Sequence, residues 1–164
     1  MEKAKRLPAK YVSSSPSETD QDLKKQILEL IVSGGQVTRR FAVPGIANAE
    51  RLGFLTLDKT VVACCCLKNP TIGYKEGVFG KAKAVQNPTA YLFELGYIVT
   101  HKEYEGFGYC QDLLGTFISE VNASTMYATT RKPSMVHILT KYGFYKSGQI
   151  YQGELQLMLF DPRE

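Results

Sequence analysis

The segment that most limits the fold is residues 90–121, where a strand pattern, a glycine turn and a helix pattern follow one another without a break. The run AYLFELGYIVT, residues 90–100, reads as a strand. A charged turn and Gly106-Phe107-Gly108 follow, and then Leu113, Leu114, Phe117, Ile118 and Val121 recur at helical spacing. The first turn of such a helix has N–H groups with no intrahelical partner, and the helix dipole makes that end positive. Glycines there remove side chains, so a pyrophosphate can rest against the backbone. By itself a GxG before a helix is equally well a tight strand-to-helix turn. Two other phosphate motifs are missing from the sequence. There is no G-x-x-x-x-G-K-[ST], and Gln111 stands where a dinucleotide fingerprint needs its third glycine.

The rest of the chain supplies a sheet around this segment. Residues 125–130 read as the next strand, and the helix before them makes that strand a parallel neighbour of 90–100. Upstream, Lys10–Ser14 is a short first strand. Ser17 and Asp20 have capping-box spacing ahead of Leu23, Ile27, Leu30 and Ile31, and Gly34-Gly35 ends that helix. In 36–51, Pro44-Gly45 is a turn signal with one short helix after it. Leu52–Leu57 and Thr60–Leu67 are two strands joined at Asp58-Lys59. The second, TVVACCCL, is apolar on both faces, as a strand covered on both sides must be.

Residues 68–89 read as a long, partly helical connection carrying Tyr74, Lys75, Phe79, Lys81 and Lys83. It is either functional or a surface excursion with a solvated basic face. Pro133 opens a last helix with Met135, Ile138, Leu139 and Tyr142 inward and Gly143 as its stop. Phe144–Ile150 and Glu154–Phe160 close the chain as an antiparallel pair around Gln152-Gly153. The final strand alternates Leu155, Leu157 and Leu159 with other residues.

At 164 residues the chain fits one domain, drawn here as 17–164 after an N-terminal segment 1–16 that is partly flexible or a short first strand. Lys and Arg total 20 against 16 Asp and Glu, a net charge of +4, which favours an anionic ligand without demanding nucleic acid. Cys64, Cys65 and Cys66 are consecutive, so neighbours point to opposite faces of a strand and make poor disulfide partners. Buried free thiols are the plainer reading, for these and for Cys110. No C-x-x-C spacing suggests a metal. No apolar run approaches the roughly 18 residues of a membrane span, and no apolar core follows the basic start MEKAKR. The expectation is a soluble cytoplasmic protein with no membrane partner.

The stretch FELGYIVTHKEYEGFGYCQDLL resembles motif A of the GNAT superfamily, the Gcn5-related N-acetyltransferases. That motif is a strand with an acidic residue near its start, then Q/R-x-x-G-x-G/A, then a helix. Here the six positions read Glu105-Gly106-Phe107-Gly108-Tyr109-Cys110, with Gly108 matching the key glycine. Glu105 departs from Gln or Arg, and a carboxylate beside phosphates repels them unless it points away. Cys110 departs from Gly or Ala. MYATTRKPSMVHILTKYGFYKSG resembles the later strand and helix, ending in the family's Gly-Phe pair at Gly143-Phe144.

The resemblance covers Leu52 to Phe160 and implies a GNAT-type acyl-CoA N-acyltransferase fold. That is α/β, a central mixed, mostly antiparallel sheet with a splayed parallel strand pair and flanking helices. It implies acetyl-CoA as co-substrate, with no metal. The backbone of Ile98, Val99 and Thr100 would guide the pantetheine arm. Glu105, Gly106, Phe107, Gly108, Tyr109 and Cys110 would surround the pyrophosphate, with Arg131 and Lys132 near the arm or the substrate mouth. Glu94 sits at the position that supplies the general base; a strand-end ion pair is the competing reading. Many relatives carry a tyrosine where Leu139 stands here. Tyr142, one turn along the same helix face, is the acid candidate, ahead of His137, His101 and Tyr145; water is the alternative.

The implied activity is transfer of acetyl from acetyl-CoA to a primary amine of a small molecule or protein. Two alternatives stay open: an acyltransferase acting on RNA or other nucleic acid, and a non-catalytic acyl-CoA binding module. In this family the paired closing strands often provide a homodimer surface.

Overall fold

The structure, a computed structural model, describes residues 6–162. Residues 1–5 of the N-terminal segment lie outside the described residues. Seven strands form one mixed sheet: β1 (Lys10–Ser14), β2 (Arg51–Leu57), β3 (Thr60–Lys68), β4 (Phe93–Thr100), β5 (Met126–Thr130), β6 (Tyr145–Tyr151) and β7 (Leu155–Phe160), in the order β1-β2-β3-β4-β5-β7-β6. The α-helices are α1 (Gln21–Ser33), α2 (Arg39–Ala47), α3 (Ile72–Ala82), α4 (Tyr109–Glu120) and α5 (Pro133–Lys141). The chain divides into two compact units, one of residues through Cys66 with Tyr97–Leu113, the other of Leu67–Gly96 with residues from Leu114 onward. Among the described residues no helix is long and apolar enough to cross a membrane.

In the first unit, β1 pairs antiparallel with β2, from Lys10 opposite Thr56 to Ser14 opposite Leu52. The cap of α1 is Asp20, whose carboxylate accepts from the amides of Asp22 and Leu23 at 3.0 and 3.1 Å. The Ser17 capping box does not form, because Pro16–Glu18 closes into one 3-10 turn before the helix begins. At the other end the left-handed residue is Gly35, at φ +76°, one beyond Gly34. Ile27, Leu30 and Ile31 of α1 pack in one core with Ala42, Ile46, Leu52 and Phe54. Asp58 takes φ +54° between β2 and β3, as a two-residue hairpin turn requires. The apolar run of β3 is buried from Val61 to Leu67, as its composition predicts. Cys64, Cys65 and Cys66 are buried and in no disulfide, and burial pushes the Cys64 thiol well up.

The predicted turn at Pro44-Gly45 lies inside α2 rather than ahead of a helix. Pro44 forgoes one amide donor, yet burial of Ala42 and Ile46 holds the helix through it. Gly45 has a separate reason to be glycine. A Cβ there would overlap the Tyr97 hydroxyl and lie 3.1 Å from its Cζ. Tyr97 is fixed in turn, since it bends β4 with φ +52°, rare for a residue with a side chain. Gly45→Ala is therefore expected to destabilise the protein by about 1–3 kcal/mol, the usual cost of overpacking. Urea unfolding measures it, and an unchanged midpoint would remove the close approach.

In the second unit, residues 68–89 are partly helical, as expected, and the helical part is α3. Thr71 caps α3 by accepting from the Tyr74 amide at 3.2 Å. Gly73, Gly77 and Gly80 do not break it, because Val78, Phe79 and Ala82 are buried on its inner face. Lys75, read as part of a solvated basic face, is buried, and its Nζ donates to the Tyr91 carbonyl at 2.8 Å. Strand β4 starts at Phe93 rather than residue 90, since Pro88–Ala90 form a 3-10 turn capped by Asn87. Strand β7 pairs antiparallel with both β5 and β6. Gln156 and Met158 are buried along with Leu157 and Leu159, because α3 and α5 both pack on β7. In α5 Pro133 is the first residue and Gly143 follows at φ +103°, both as the sequence predicts. Leu139 is fully buried, and Met135 and Ile138 only partly so.

Candidate active site

Strands β4 and β5 pair in parallel at Phe93↔Met126 and Glu94↔Tyr127. Register partners in adjacent strands project to the same face of a sheet. Glu94 is buried, 4% exposed, with Tyr127 as its register partner. Its Oε1 lies 2.6 Å from Lys68 Nζ on β3. An ion pair therefore forms at this carboxylate, with Glu94 buried and the Lys68 side chain partly exposed. Glu94 Oε2 and the Tyr127 hydroxyl are both buried with no hydrogen-bond partner. Burial, and then the Glu94 charge, push the Tyr127 hydroxyl upward, so the two groups feel one another without a well-formed hydrogen bond between them.

The glycine turn lies in the other unit. His101 follows β4, and its Nδ1 accepts from the Glu103 amide at 3.2 Å, which caps the 3-10 turn Lys102–Tyr104. Glu105 is exposed. Gly106 and Gly108 take φ +85° and +82°, both left-handed, and α4 begins at Tyr109. A Cβ on Gly106 would meet nothing within 4 Å, and one on Gly108 would meet only Arg6 Nη1, at 3.5 Å. The space above the turn is thus open apart from one cation. The Tyr109 side chain is buried, and its hydroxyl donates to the Leu7 carbonyl at 2.5 Å. Phe107 and Cys110 are half-buried, as are Ile98, Val99 and Thr100 of β4.

Arg6 is the residue that sequence reading missed. Its guanidinium pairs with Asp112 of the first turn of α4 and stacks over the Tyr109 ring, 4.6 Å from the centroid. Its place is set by the Tyr109–Leu7 hydrogen bond, which ties the N-terminal segment to α4. Only the basic character of MEKAKR hinted at it, and nothing local specifies a contact across 106 residues.

The remaining candidates lie elsewhere in the second unit. The Tyr142 ring covers Gly115, where a Cβ would sit 2.8 Å from its hydroxyl, and Lys141 Nζ stands 5.6 Å over it. Arg131 lies 3.6 Å from Glu154, and the Lys132 amide donates to Thr130 Oγ1 at 3.1 Å. Both line a surface hollow of about 510 Å³ together with His137 and Lys146. The Tyr145 hydroxyl donates to Asp161 at 2.5 Å. Among the described residues no three His, Cys, Asp or Glu side chains gather as metal ligands would.

No protein-family model and no curated protein matches the sequence. Solved structures do. An acyl-CoA N-acyltransferase from Pseudomonas aeruginosa superposes with a TM-score of 0.69 at 12% identity, over 93% of this chain and 99% of that one. Escherichia coli ElaA gives 0.68 at 12% identity over 94% and 100%, and Tetrahymena GCN5 gives 0.62 at 12% over 96% and 99%. The fold is therefore the GNAT-type acyl-CoA N-acyltransferase fold, as motif A and the order of elements implied.

Proposed function

We propose that the chain is an N-acetyltransferase that carries the acetyl group of acetyl-CoA to a primary amine. The observation that carries this reading is the open turn of two left-handed glycines at the start of α4, beside one cation, within this fold. Acetyl-CoA would bring an activated thioester, whose C–S bond breaks as the amine nitrogen forms the new C–N bond. First-turn amides from Phe107 to Tyr109, with Cys110 next along the helix, suit its diphosphate. The half-buried backbone of Ile98, Val99 and Thr100 suits the amide-rich arm. Arg131 and Lys132 stay in the cofactor set as mouth cations, since a 3.6 Å exposed pair with Glu154 is readily exchanged.

Glu94 takes the proton from the amine, a role that burial beside an apolar strand favours. Tyr142 is given a packing role over Gly115, with water as the proton source for the departing thiolate. Arg6 replaces the charge that Glu105 fails to supply. Arg6→Ala is expected to raise the Kd for acetyl-CoA by several-fold, on the order of 1 kcal/mol for a partly exposed cation. It should also flatten the salt dependence of binding. Calorimetry at two ionic strengths reads both, and an unaltered Kd would take Arg6 out of the site.

The test of the function is a CoA-release screen over amines, polyamines, amino acids, peptides and tRNA, with Glu94→Gln as control. One observation favours a second reading. Lys68 already occupies Glu94, as it would in a binding module that has lost turnover. Such a module would bind acetyl-CoA yet release no CoA with any acceptor, and Glu94→Gln would change nothing.

A further inference from the structure

The hollow beside α5 has a floor that the sheet itself fixes. Thr130 of β5 and Gln156 of β7 are register partners, so their side chains rise on one face. Lys146 of β6 is the register partner of Met158, two residues on from Gln156, and rises on that face as well. Gln156 is 8% exposed, and its Nε2 donates to the Ser147 and Leu157 carbonyls at 3.3 and 2.9 Å, which pins its amide. Val136 and His137 line the hollow from α5, and Ile150 lines it from β6 beside Lys146. Its volume of about 510 Å³ is that of a small-ligand pocket.

Charge is unbalanced in this hollow. Arg131, Lys132 and Lys146 line it against one carboxylate, Glu154. Glu154 stands 3.6 Å from Arg131 in an exposed pair. Among the described residues no carboxylate pairs with Lys132 or Lys146. Helix α5 opens at Pro133, next to Lys132, with no side chain capping it, so the positive end of the helix adds to the same field. Ile150, 51% exposed, and Val136 put apolar surface next to the cations.

We propose that this hollow is a second ligand site, for a phosphate ester with a small apolar body. The phosphate lies between Lys132 and Lys146 at the start of α5, and the body rests on Ile150 and Val136. Two lysines without a carboxylate match the charge of nearly two that a phosphate ester carries, where a carboxylate ligand brings one. Lysine binds phosphate as a point charge, so the two ammonium groups need only converge on it. Glu154 opposes the ligand, because it repels the phosphate and occupies Arg131. This site goes beyond the transferase reading and needs no acetyl-CoA.

Phenyl phosphate is the probe, titrated without acetyl-CoA into the full chain while amide shifts are followed by NMR. The amides of Lys132, His137, Lys146 and Ile150 should move on one saturable curve. Lys146, Glu154 and Ile150 lie outside the residues proposed for acetyl-CoA, and all three are exposed, so their variants test the hollow in a folded protein. Lys146→Glu should weaken binding roughly tenfold or more, and Glu154→Gln should tighten it about threefold. Ile150→Ser should bring phenyl phosphate down to the affinity of inorganic phosphate, and benzoate should bind more weakly than phenyl phosphate to the wild type. Saturating CoA should leave the curve in place. Shifts confined to Gly106 and Gly108 overturn the hollow and leave the transferase reading standing, whereas shifts at the hollow in a protein that binds no acetyl-CoA do the reverse. Displacement of phenyl phosphate by CoA, or unchanged affinity in Lys146→Glu, also overturns the proposal.

Discussion

Gly108→Glu is expected to abolish acetyl-CoA binding, a loss on the order of 100-fold or more, about 2.8 kcal/mol at 1.4 kcal/mol per tenfold. Three causes act together. The new side chain enters the open space above the turn, where a Cβ meets only Arg6. Its carboxylate competes for the Arg6 guanidinium, and it repels a diphosphate at the positive end of α4. The backbone also resists, since φ +82° costs an L-residue about 1–2 kcal/mol. Gly108→Ala separates these effects. It carries the same backbone strain with neither charge nor bulk, so it should lose stability comparably and keep most of its affinity. Calorimetry reads binding and thermal unfolding reads strain. Binding of Gly108→Glu within twofold of wild type would mean that the diphosphate, if any, lies elsewhere.

Glu94→Gln should reduce kcat by about 10²–10⁴-fold, the usual range for removing a general base. The Kd for acetyl-CoA should stay at its wild-type value, since the glycine turn and Glu94 are separate parts of the chain. Gln preserves the shape of the side chain and still offers an oxygen to Lys68, so the fold should survive. Glu94→Asp, one methylene shorter, should fall between the two because its carboxylate stops short of the position Lys68 now meets. Steady-state rates with the best acceptor from the screen, set beside calorimetry, check this. A Glu94→Gln enzyme with full turnover would leave Glu94 and Lys68 as a structural pair.

Much of the framework was legible because its signals are local. A strand pattern leading into Gly106-Phe107-Gly108 and then a 3.6-residue stripe specifies strand, turn and helix, and φ at both glycines agrees. The buried run of β3, the Asp58 turn, Pro133 and Gly143 are of the same kind. Errors arose where tertiary burial outweighed local punctuation. Pro44-Gly45 looks like a turn, yet the inner face of α2 carries the helix through it. Lys75 belongs to a set of lysines that looks like a solvated face, yet it is buried on α3. The last strand shows alternation, yet α3 and α5 pack on it and residues of both sets are buried.

The sequence by itself determined the elements, their order and the glycine turn, because hydrophobic period and backbone φ depend on neighbours a few residues away. Only the tertiary structure decided which charges meet. Lys68 at Glu94 and Arg6 at α4 join residues 26 and 106 positions apart. Attraction between charges falls with distance through space and is blind to distance along the chain, so folding alone settles which ones come together.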